Sequence, residues 1–213
     1  MLQNARAETP VYPVAMTDRS RLQQQIDFLV EIDKLKQVLR RTWLMDQSCY
    51  ENDAEHSWHI AVAAMLFREY ADDPNVDLLR VIKMLLVHDL VEIDAGDTYA
   101  YDEQRLVDQA ECERRGADRI FGLLPPDQAA EFRSLWEEFE ARQTPEARYA
   151  AALDRFQPLV HNYLTGGRAW REHGVTSDRV RVRNRPVAAG SPTLWQYAED
   201  LIRDAVEKGF LAR

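Results

Sequence analysis

Hydrophobic positions recur along most of the chain at the three-to-four-residue spacing that is typical of amphipathic helices. In residues 21–43, RLQQQIDFLVEIDKLKQVLRRTW, the apolar side chains lie close to one stripe: Ile26, Leu29, Val30, Leu35, Val38 and Leu39. Residues 78–93, LLRVIKMLLVHDLVEI, are apolar nearly all round, which indicates a central helix. The pattern predicts further helices over residues 54–70, 102–124, 125–143, 145–164 and 191–209.

Capping residues support the starts of three of these helices. Asp77 directly precedes the helix that begins at residue 78, and an Asp side chain can accept the unpaired N–H groups of a first turn. Thr144 followed by Pro145, and Ser191 followed by Pro192, combine a capping hydroxyl with a proline suited to the first helical turn. Gly209 is a helix terminator for the last segment.

These elements predict an all-α fold, a single helical bundle of about six to seven helices. We expect a flexible N-terminal arm over residues 1–17 and one domain over residues 18–213. Within that domain the helical core spans about 20–172, a long loop spans 173–190, and the C-terminal helix spans 191–209. The one alternating stretch of any length is RVRVR at 179–183, inside the predicted loop.

Charge and composition narrow the class of protein. The 213 residues are 46% hydrophobic and 30% charged, as in a globular protein, with a formal net charge of −9. An acidic surface repels nucleic-acid backbones, so we expect no nucleic-acid partner. No run of about twenty apolar residues is present, so we expect no membrane span. The two cysteines, Cys49 and Cys112, form no CxxC pair and fit a reducing cytoplasm.

Candidate chemistry is concentrated in MLLVHDLVEIDAGD, residues 84–97. Carboxylates are rarely buried unless they are paired or bind a metal, yet His88, Asp89 and Glu92 lie in an apolar run. Two other apolar helices also offer ligand-type side chains, His56 in EHSWH and Asp154 in AAALDRF. Two imidazoles and two carboxylates suit Mn²⁺, Fe²⁺, Co²⁺, Ni²⁺ or Zn²⁺. The alternative is a satisfied polar pair in the core. For His59 the alternatives are a ligand, a ligand-supporting group or a core histidine, of which the last two are favoured. His161 is interpreted as packing in the core or lining the pocket.

The ordered set EHSW, HDLVE…GD and LD resembles the HD-domain metal-dependent phosphohydrolases, and within them the 5′-deoxynucleotidase-like subgroup. The resemblance covers roughly residues 20–170. It implies a divalent metal ion (Mn, Co, Fe, Ni, Zn or Mg) bound by four residues: His56, His88, Asp89 and Asp154. It also implies catalytic roles for Glu92 and Asp97, with Asp97 lining the substrate pocket. Arg41 with Trp43 best matches the family's substrate-binding pair, and Arg40 is a possible substitute. The family fold is a helical bundle that is usually dimeric, so a homodimer is expected.

The resemblance predicts phosphate release from (deoxy)nucleoside 5′-monophosphates, with Glu92 orienting water or passing a proton to the leaving oxygen. Two alternatives stay open: an HD-type hydrolase of another small phosphate ester or nucleotide, and a non-catalytic nucleotide-sensing module. A triphosphate ranks lower because LRRTW alone supplies few cations. The basic stretch with Arg179, Arg181, Arg183 and Arg185 is interpreted as a solvated loop, with a substrate lid as the alternative. The signatures of di-iron bundles and of H-E-x-x-H zinc proteases are absent.

Overall fold

The computed structural model describes residues 18–96 and 103–213, with side chains described for residues 20–96 and 109–213. Asp97 and the predicted arm over residues 1–17 lie outside the described residues. Within the described ranges the fold is all-α, as predicted, with one small hairpin. The elements are α1 Asp18–Ile32, β1 Leu39–Trp43, β2 Tyr50–Asn52, α2 Asp53–Leu66, α3 Leu78–Val87, α4 Glu92–Ala95, α5 Glu103–Phe121, α6 Pro126–Ala141, α7 Pro145–Leu164, α8 Arg168–Glu172, α9 Ser177–Asn184, α10 Val187–Gly190 and α11 Pro192–Glu207.

Helix α7 runs through the centre of the bundle and packs against α2, α3, α6, α10 and α11. It begins where the sequence predicts, because the Thr144 hydroxyl accepts the N–H of Ala147 and Pro145 opens the first turn. The caps Asp77 and Ser191 are confirmed in the same way, on α3 and α11. The middle of α7 is buried from Tyr149 to Asp154, so Asp154 is held inside the core. Among the described helices, none combines the length and the apolar character that crossing a bilayer requires.

The predicted first helix over residues 21–43 is wrong in its second half. Helix α1 ends at Ile32, a 3-10 helix follows over Asp33–Gln37, and β1 then pairs antiparallel with β2. The strand alternates sides, with Arg40 and Thr42 turned inward while Leu39 and Arg41 are exposed. A single five-residue strand is too short for its period to be distinguished from a helical one in the sequence.

The apolar side chains of the predicted stripe that fall within α1 do lie on one face of it, but they stay exposed because no other described part of the chain packs over them. Ile26, Leu29 and Val30 are 43%, 65% and 66% exposed, and Phe28 packs into the core instead. Helix α2 carries a similar exposed set at helical spacing, Trp58, Val62, Met65 and Leu66. Between the two helices lies an apolar groove of about 290 Å³, lined among others by Leu29, Leu35 and Leu86. We refer to these residues together as the α1–α2 apolar face.

The predicted helix over residues 78–93 is interrupted in its C-terminal half, where His88 and Asp89 lie. Helix α3 stops at Val87, the chain tightens into a 3-10 helix over His88–Val91, and α4 follows until Gly96, whose φ is +73°. All four residues of the 3-10 helix are buried. A mid-helix 3-10 stretch is often found at functional positions, and here it brings His88 and Asp89 to the same buried point.

The predicted loop over residues 173–190 is also wrong, because it contains α9 and α10. The alternating RVRVR stretch is helical, with Val180 buried and Val182 exposed. Packing explains this outcome. A Cβ at Gly190 would lie 2.2 Å from the carbonyl oxygen of Arg148, so the glycine lets α10 approach α7 closely. Such a tertiary contact leaves no periodic signal in the sequence.

Candidate metal centre

Three separate elements bring the four predicted metal ligands together. His56 lies in the first turn of α2, which is fixed by a capping box between Asn52 and Glu55. His88 and Asp89 lie in the 3-10 helix after α3, and Asp154 lies in the middle of α7. All four side chains are buried.

Their ligand atoms converge on one point. His56 Nε2 lies 3.1 Å from Asp154 Oδ1, and His88 Nε2 lies 3.8 Å from the same oxygen. Asp89 Oδ1 is 3.0 Å from His88 Nε2. One ligand atom each of His56, His88 and Asp154 falls within 4.8 Å of the others. We call these four residues the first cluster.

The tautomers of both histidines leave Nε2 directed at the cluster. His88 Nδ1 donates to the carbonyl oxygen of Leu85 at 2.9 Å, and His56 Nδ1 donates to Gln157 Oε1 at 3.1 Å. His88 Nε2 is then a buried atom with no hydrogen-bond partner among the described residues. Such an atom is costly unless something binds it. The set of two imidazole nitrogens and two carboxylates therefore fits a divalent metal ion.

The pKa values of the two histidines are shifted in opposite directions. Burial lowers the pKa of His56 to about 4, and the charge of Arg40 adds to the effect. Burial also lowers the pKa of His88, but the carboxylates of Asp89 and Asp154 outweigh it and raise that pKa to about 9. Burial raises the pKa of Asp154, yet Arg155 and both histidines hold it well below its usual range. Without a metal, one proton on His88 balances part of the acidic charge.

The predicted arginine is not the one that reaches the centre. Arg41 is exposed, because it lies on the outer face of β1. Arg40 faces inward, and its Nη1 donates to Asp53 Oδ1 and Asp89 Oδ2, both at 3.1 Å. The strand alternation that the helix prediction missed decides between the two neighbours. Of the two neighbouring arginines, Arg40, the substitute that the sequence had left open, is the one that contacts the candidate centre.

Trp43 lies at the end of the same hairpin and makes contacts away from the four ligands. Its indole N–H donates to Glu172 at 3.1 Å, its ring packs on Tyr50 at 4.2 Å, and the guanidinium of Arg168 lies 3.3 Å above it. Among the described residues that line the cavity next to the first cluster, Trp43 is absent. These contacts give no support to its predicted role in binding substrate.

The first cluster opens into a cavity of about 260 Å³. Glu92, at the start of α4, lines it together with His88, Asp89 and Asp154. Four arginines also line it: Arg40, Arg142, Arg155 and Arg183. Of these, Arg142 and Arg155 were not predicted, and Arg183 belongs to the basic stretch for which a substrate lid was the alternative. Trp136 and Phe139 add an aromatic wall, and Glu113 and Glu140 add acidic groups.

Arg142 is the most distinctive of these cavity arginines. It ends α6 in a left-handed conformation with φ of +52°, which is uncommon for a residue with a side chain. Its Nε is buried and has no hydrogen-bond partner in the part of the chain that the structure describes. A sequence signal existed for Arg155, which follows Asp154, and for Arg183, which belongs to the basic stretch. None existed for Arg142.

Comparison with known proteins adds independent findings. A family model described as HD domain matches residues 32–195. The mouse protein 5′-deoxynucleotidase HDDC2 is 32% identical over 134 residues, and the human protein of that name is 30% identical over 136 residues. These alignments cover 62% and 63% of this chain, and they span less than two thirds of the relatives' own length, 65% of each. A crystal structure of a predicted metal-dependent phosphohydrolase from Magnetospirillum magnetotacticum MS-1 is 55% identical, with a TM-score of 0.89, and covers 93% of this chain and 99% of that one.

Proposed function

The chain belongs to the HD-domain family, and from that premise we propose that it is a metal-dependent phosphohydrolase that releases phosphate from (deoxy)nucleoside 5′-monophosphates. One observation carries the proposal: two histidines and two carboxylates converge beside a cavity lined with arginines, and His88 Nε2 makes no hydrogen bond among the described residues. The names of the mouse and human relatives support a nucleotide substrate. The structural neighbour's description supports metal dependence.

In this proposal His56, His88, Asp89 and Asp154 hold the metal. A bound divalent cation supplies Lewis acidity, which withdraws electron density from the phosphoryl group and makes water more acidic. Arg40 positions Asp89, since its guanidinium links that carboxylate to Asp53. The fixed Nδ1–H donors of the two histidines keep their Nε2 atoms directed at the metal.

Glu92 is proposed as the group that moves the proton. It is half-buried and lines the same cavity as His88 and Asp89. Water attacks phosphorus, the bond from phosphorus to the 5′ oxygen breaks, and the proton that water loses passes through the Glu92 carboxylate to the leaving oxygen. The products are inorganic phosphate and a nucleoside. Asp97 is proposed, from the family resemblance alone, to contact the substrate and assist this step.

The cavity has cationic residues that match the phosphate group of the proposed substrate and aromatic residues that match its sugar or base. A guanidinium pairs well with phosphate oxygens, and Arg142 and Arg155 line the cavity together with Asp154. Trp136 and Phe139 supply an apolar surface for the sugar or base. Arg40 replaces Arg41 in our assignment of the substrate side, because it lines the cavity while Arg41 is exposed.

The proposal is tested by phosphate release from deoxy- and ribonucleoside 5′-monophosphates. The purified protein is stripped of metal with a chelator, and Mn²⁺, Co²⁺, Mg²⁺ or Zn²⁺ is then added back singly. Metal-dependent release of phosphate is the expected result, and the Asp89→Asn variant, which changes a proposed ligand, should give none. Equal release by the wild-type protein and this variant, or metal binding without release from any substrate, would contradict the proposal.

A second candidate substrate class is a nucleotide with more than one phosphate. The observation that favours it is the set of additional arginines in the cavity, because a triphosphate needs more cations than Arg40 alone. The same cavity also contains Asp89, Glu92, Glu113, Glu140 and Asp154, so its acidic groups outnumber its arginines. A monophosphate therefore stays first. Including dATP and separating phosphate, pyrophosphate and tripolyphosphate among the products decides between the two.

We also propose that the protein is a homodimer and that the α1–α2 apolar face forms the interface. Exposed apolar patches of this kind mark interaction surfaces. Substituting Leu29 and Val62 by Glu should convert a dimer to a monomer in light scattering coupled to gel filtration. Val182→Glu is the matched control, because Val182 is 76% exposed on α9. A monomeric wild-type protein would refute this part of the proposal.

For the compartment we propose the cytoplasm, and the support is cysteine chemistry. Cys49 and Cys112 are both free thiols, one exposed and one half-buried. Free thiols persist where the environment is reducing. Fractionation of the native cells with antibody detection tests this assignment.

A further inference from the structure

A second group of ligand-type side chains lies next to the first cluster. Glu51, His59 and His161 each offer one atom, and these atoms lie within 4.8 Å of one another. Glu51 and His161 are buried, and His59 is half-buried. Two imidazoles and a carboxylate also form a common zinc site, so donor type alone does not distinguish the two groups. We call these three residues the second cluster.

The centre of the second cluster is filled by the chain itself. Gln157 Nε2 lies 2.6 Å from Glu51 Oε1, 2.9 Å from His161 Nε2 and 3.2 Å from His59 Nδ1. An amide nitrogen carries two hydrogens, so it can donate fully to two of the three acceptors. The two shortest distances, to Glu51 and His161, identify them. A cation at this point would have to displace the amide.

The surrounding groups fix which way the amide faces. His161 Nδ1 donates to the carbonyl oxygen of Trp43 at 3.2 Å, so His161 Nε2 carries a lone pair and can only accept. Burial raises the pKa of Glu51 to about 7, and above that pH its carboxylate also only accepts. The NH₂ group of Gln157 must therefore face Glu51 and His161, and its oxygen must face His56.

That orientation decides the tautomer of a metal ligand. Gln157 Oε1 lies 3.1 Å from His56 Nδ1 and can only accept a hydrogen bond, so His56 carries its proton on Nδ1. His56 Nε2 is then left with a lone pair on the side of Asp154, 3.1 Å away. A flipped amide would present NH₂ to His56 and would favour the other tautomer, with its proton pointing into the first cluster.

We propose that Gln157 is a positioning residue for the metal, and that the second cluster serves to hold its amide rather than to bind a second cation. Gln157 is buried on α7, one turn after Asp154, so the same helix supplies a ligand and the group that orients another ligand. The inference rests on the proposed function only in requiring that the first cluster binds metal. It does not depend on which substrate is used.

Metal titration of the full-length protein, stripped with a chelator and followed by calorimetry with Mn²⁺, tests the proposal. Gln157→Leu should weaken Mn²⁺ binding about ten- to hundredfold, the usual cost of losing the partner of a ligand histidine. With Co²⁺ as the probe, its visible absorption bands should shift, because the ring of His56 is no longer oriented. Gln143→Leu, at an exposed position, is the matched control and should change neither readout.

A charge-conserving exchange provides the sharper test. Gln157→Glu alone places two carboxylates side by side and removes the donor to His161, so it should bind Mn²⁺ as weakly as the Leu variant. Gln157→Glu combined with Glu51→Gln restores one amide, one carboxylate and an oxygen facing His56, while His161 still lacks its donor. We expect this double variant to bind Mn²⁺ more tightly than Gln157→Glu and less tightly than the wild-type protein.

Three results would overturn the proposal. One is unchanged Mn²⁺ affinity and Co²⁺ spectrum in a folded Gln157→Leu variant. Another is a double exchange that folds but binds no better than Gln157→Glu. The third is two equivalents of Mn²⁺ in the wild-type protein with one lost in His161→Asn, which would make the second cluster a cation site. Loss of metal binding in Gln157→Leu, in a protein that hydrolyses no nucleotide, would support this inference and refute the proposed function.

Discussion

The two clusters contain nearly the same chemistry and differ in what lies at their centres. The first cluster brings two imidazoles together with Asp89 and Asp154, and His88 Nε2 makes no hydrogen bond there among the described residues. The second brings two imidazoles together with Glu51, and the Gln157 amide occupies the point on which they converge. Ligand type and proximity therefore do not define a metal site. A buried ring nitrogen that makes no hydrogen bond within the described protein is the more informative feature.

The pKa values of His88 in the first cluster and His161 in the second differ because the groups that face the two side chains differ in charge. His88 faces two carboxylates, which raise its pKa to about 9 against the opposite effect of burial. Burial lowers the pKa of His161 to about 4, since the amide that faces it brings no compensating charge. In the first cluster the proposed metal would replace the proton on His88, whereas His161 in the second cluster stays neutral at pH 7. Each prediction below tests some part of this difference.

The largest effect is expected from paired substitutions in the two clusters. Asp154→Asn removes the carboxylate that contacts both His56 and His88, so we expect loss of Mn²⁺ binding and a fall in turnover of roughly a thousandfold or more. Glu51→Gln should keep Mn²⁺ affinity within about tenfold, because the new side chain still offers an oxygen to Gln157. Calorimetry and phosphate release measure both. Equal losses in the two variants would mean that the clusters do not differ in role.

Glu92→Gln separates metal binding from chemistry within the first cluster. The glutamate lines the cavity but is outside the convergent set, so Mn²⁺ affinity should stay within about threefold while kcat falls about a hundredfold to ten-thousandfold. The pH–rate profile should also lose the limb that belongs to this carboxyl group. Full activity in the variant would eliminate Glu92 as the proton carrier.

Many residues of the candidate site, and the start of α7, can be predicted from the sequence. The residues that cannot be predicted share a physical reason. His56, His88, Asp89 and Asp154 stand out because each is polar within an apolar helical run, and α7 is defined at its start by Thr144 and Pro145. These are local signals. The pattern is ambiguous where five residues form a strand, so it did not show which of two neighbouring arginines turns inward. The family resemblance favoured Arg41, and the structure turns Arg40 inward.

Residues that act through tertiary geometry gave no such signal. Gln157 is one polar residue among several on α7, and only the fold reveals that its amide joins His56 to Glu51 and His161. Arg142 reaches the cavity because its backbone is left-handed, a property that its residue type disfavours. The helices α9 and α10 form through packing on α7, in a segment whose intrinsic preference for helix is weak.

The proton on His88 predicts a pH dependence of metal binding. With its pKa raised to about 9, His88 is protonated in the metal-free protein at pH 7.5, so binding must release about one proton. Because the proton competes with the metal below that pKa, Mn²⁺ affinity should rise about tenfold per pH unit from pH 7 to 9 and level off above. His56 adds no slope in this range, since its pKa is about 4.

Calorimetry in buffers with different heats of ionisation measures the number of protons released. The metal-free Asp89→Asn variant sharpens the comparison, because removing one of the two carboxylates should lower the pKa of His88, which a pH titration of its imidazole NMR signals measures without metal. No proton release at pH 7.5 by the wild-type protein would contradict the electrostatic difference between the clusters.

In the proposed function the substrate reaches the first cluster through the adjoining cavity. A substitution of Arg142, which lines that cavity, tests its contribution to substrate binding. Arg142→Met keeps the length of the side chain and removes the charge, so KM for a nucleoside monophosphate should rise roughly tenfold with little change in Mn²⁺ affinity. Arg41→Met is the matched control, an exposed arginine whose loss should change KM less than about twofold. A larger effect from Arg41 than from Arg142 would return the substrate role to the residue that the sequence favoured.

The smallest effect is expected at His59, the half-buried member of the second cluster. Its Nδ1 is the farthest of the three acceptors from Gln157 Nε2, at 3.2 Å, and the amide has no third hydrogen to give it. His59→Asn should therefore change Mn²⁺ affinity less than about twofold and leave one equivalent bound. If the second cluster were a cation site, His59 would be a ligand as important as His161, and its loss would remove a bound equivalent. The stoichiometry in this one variant thus measures whether the amide or a metal occupies the second cluster.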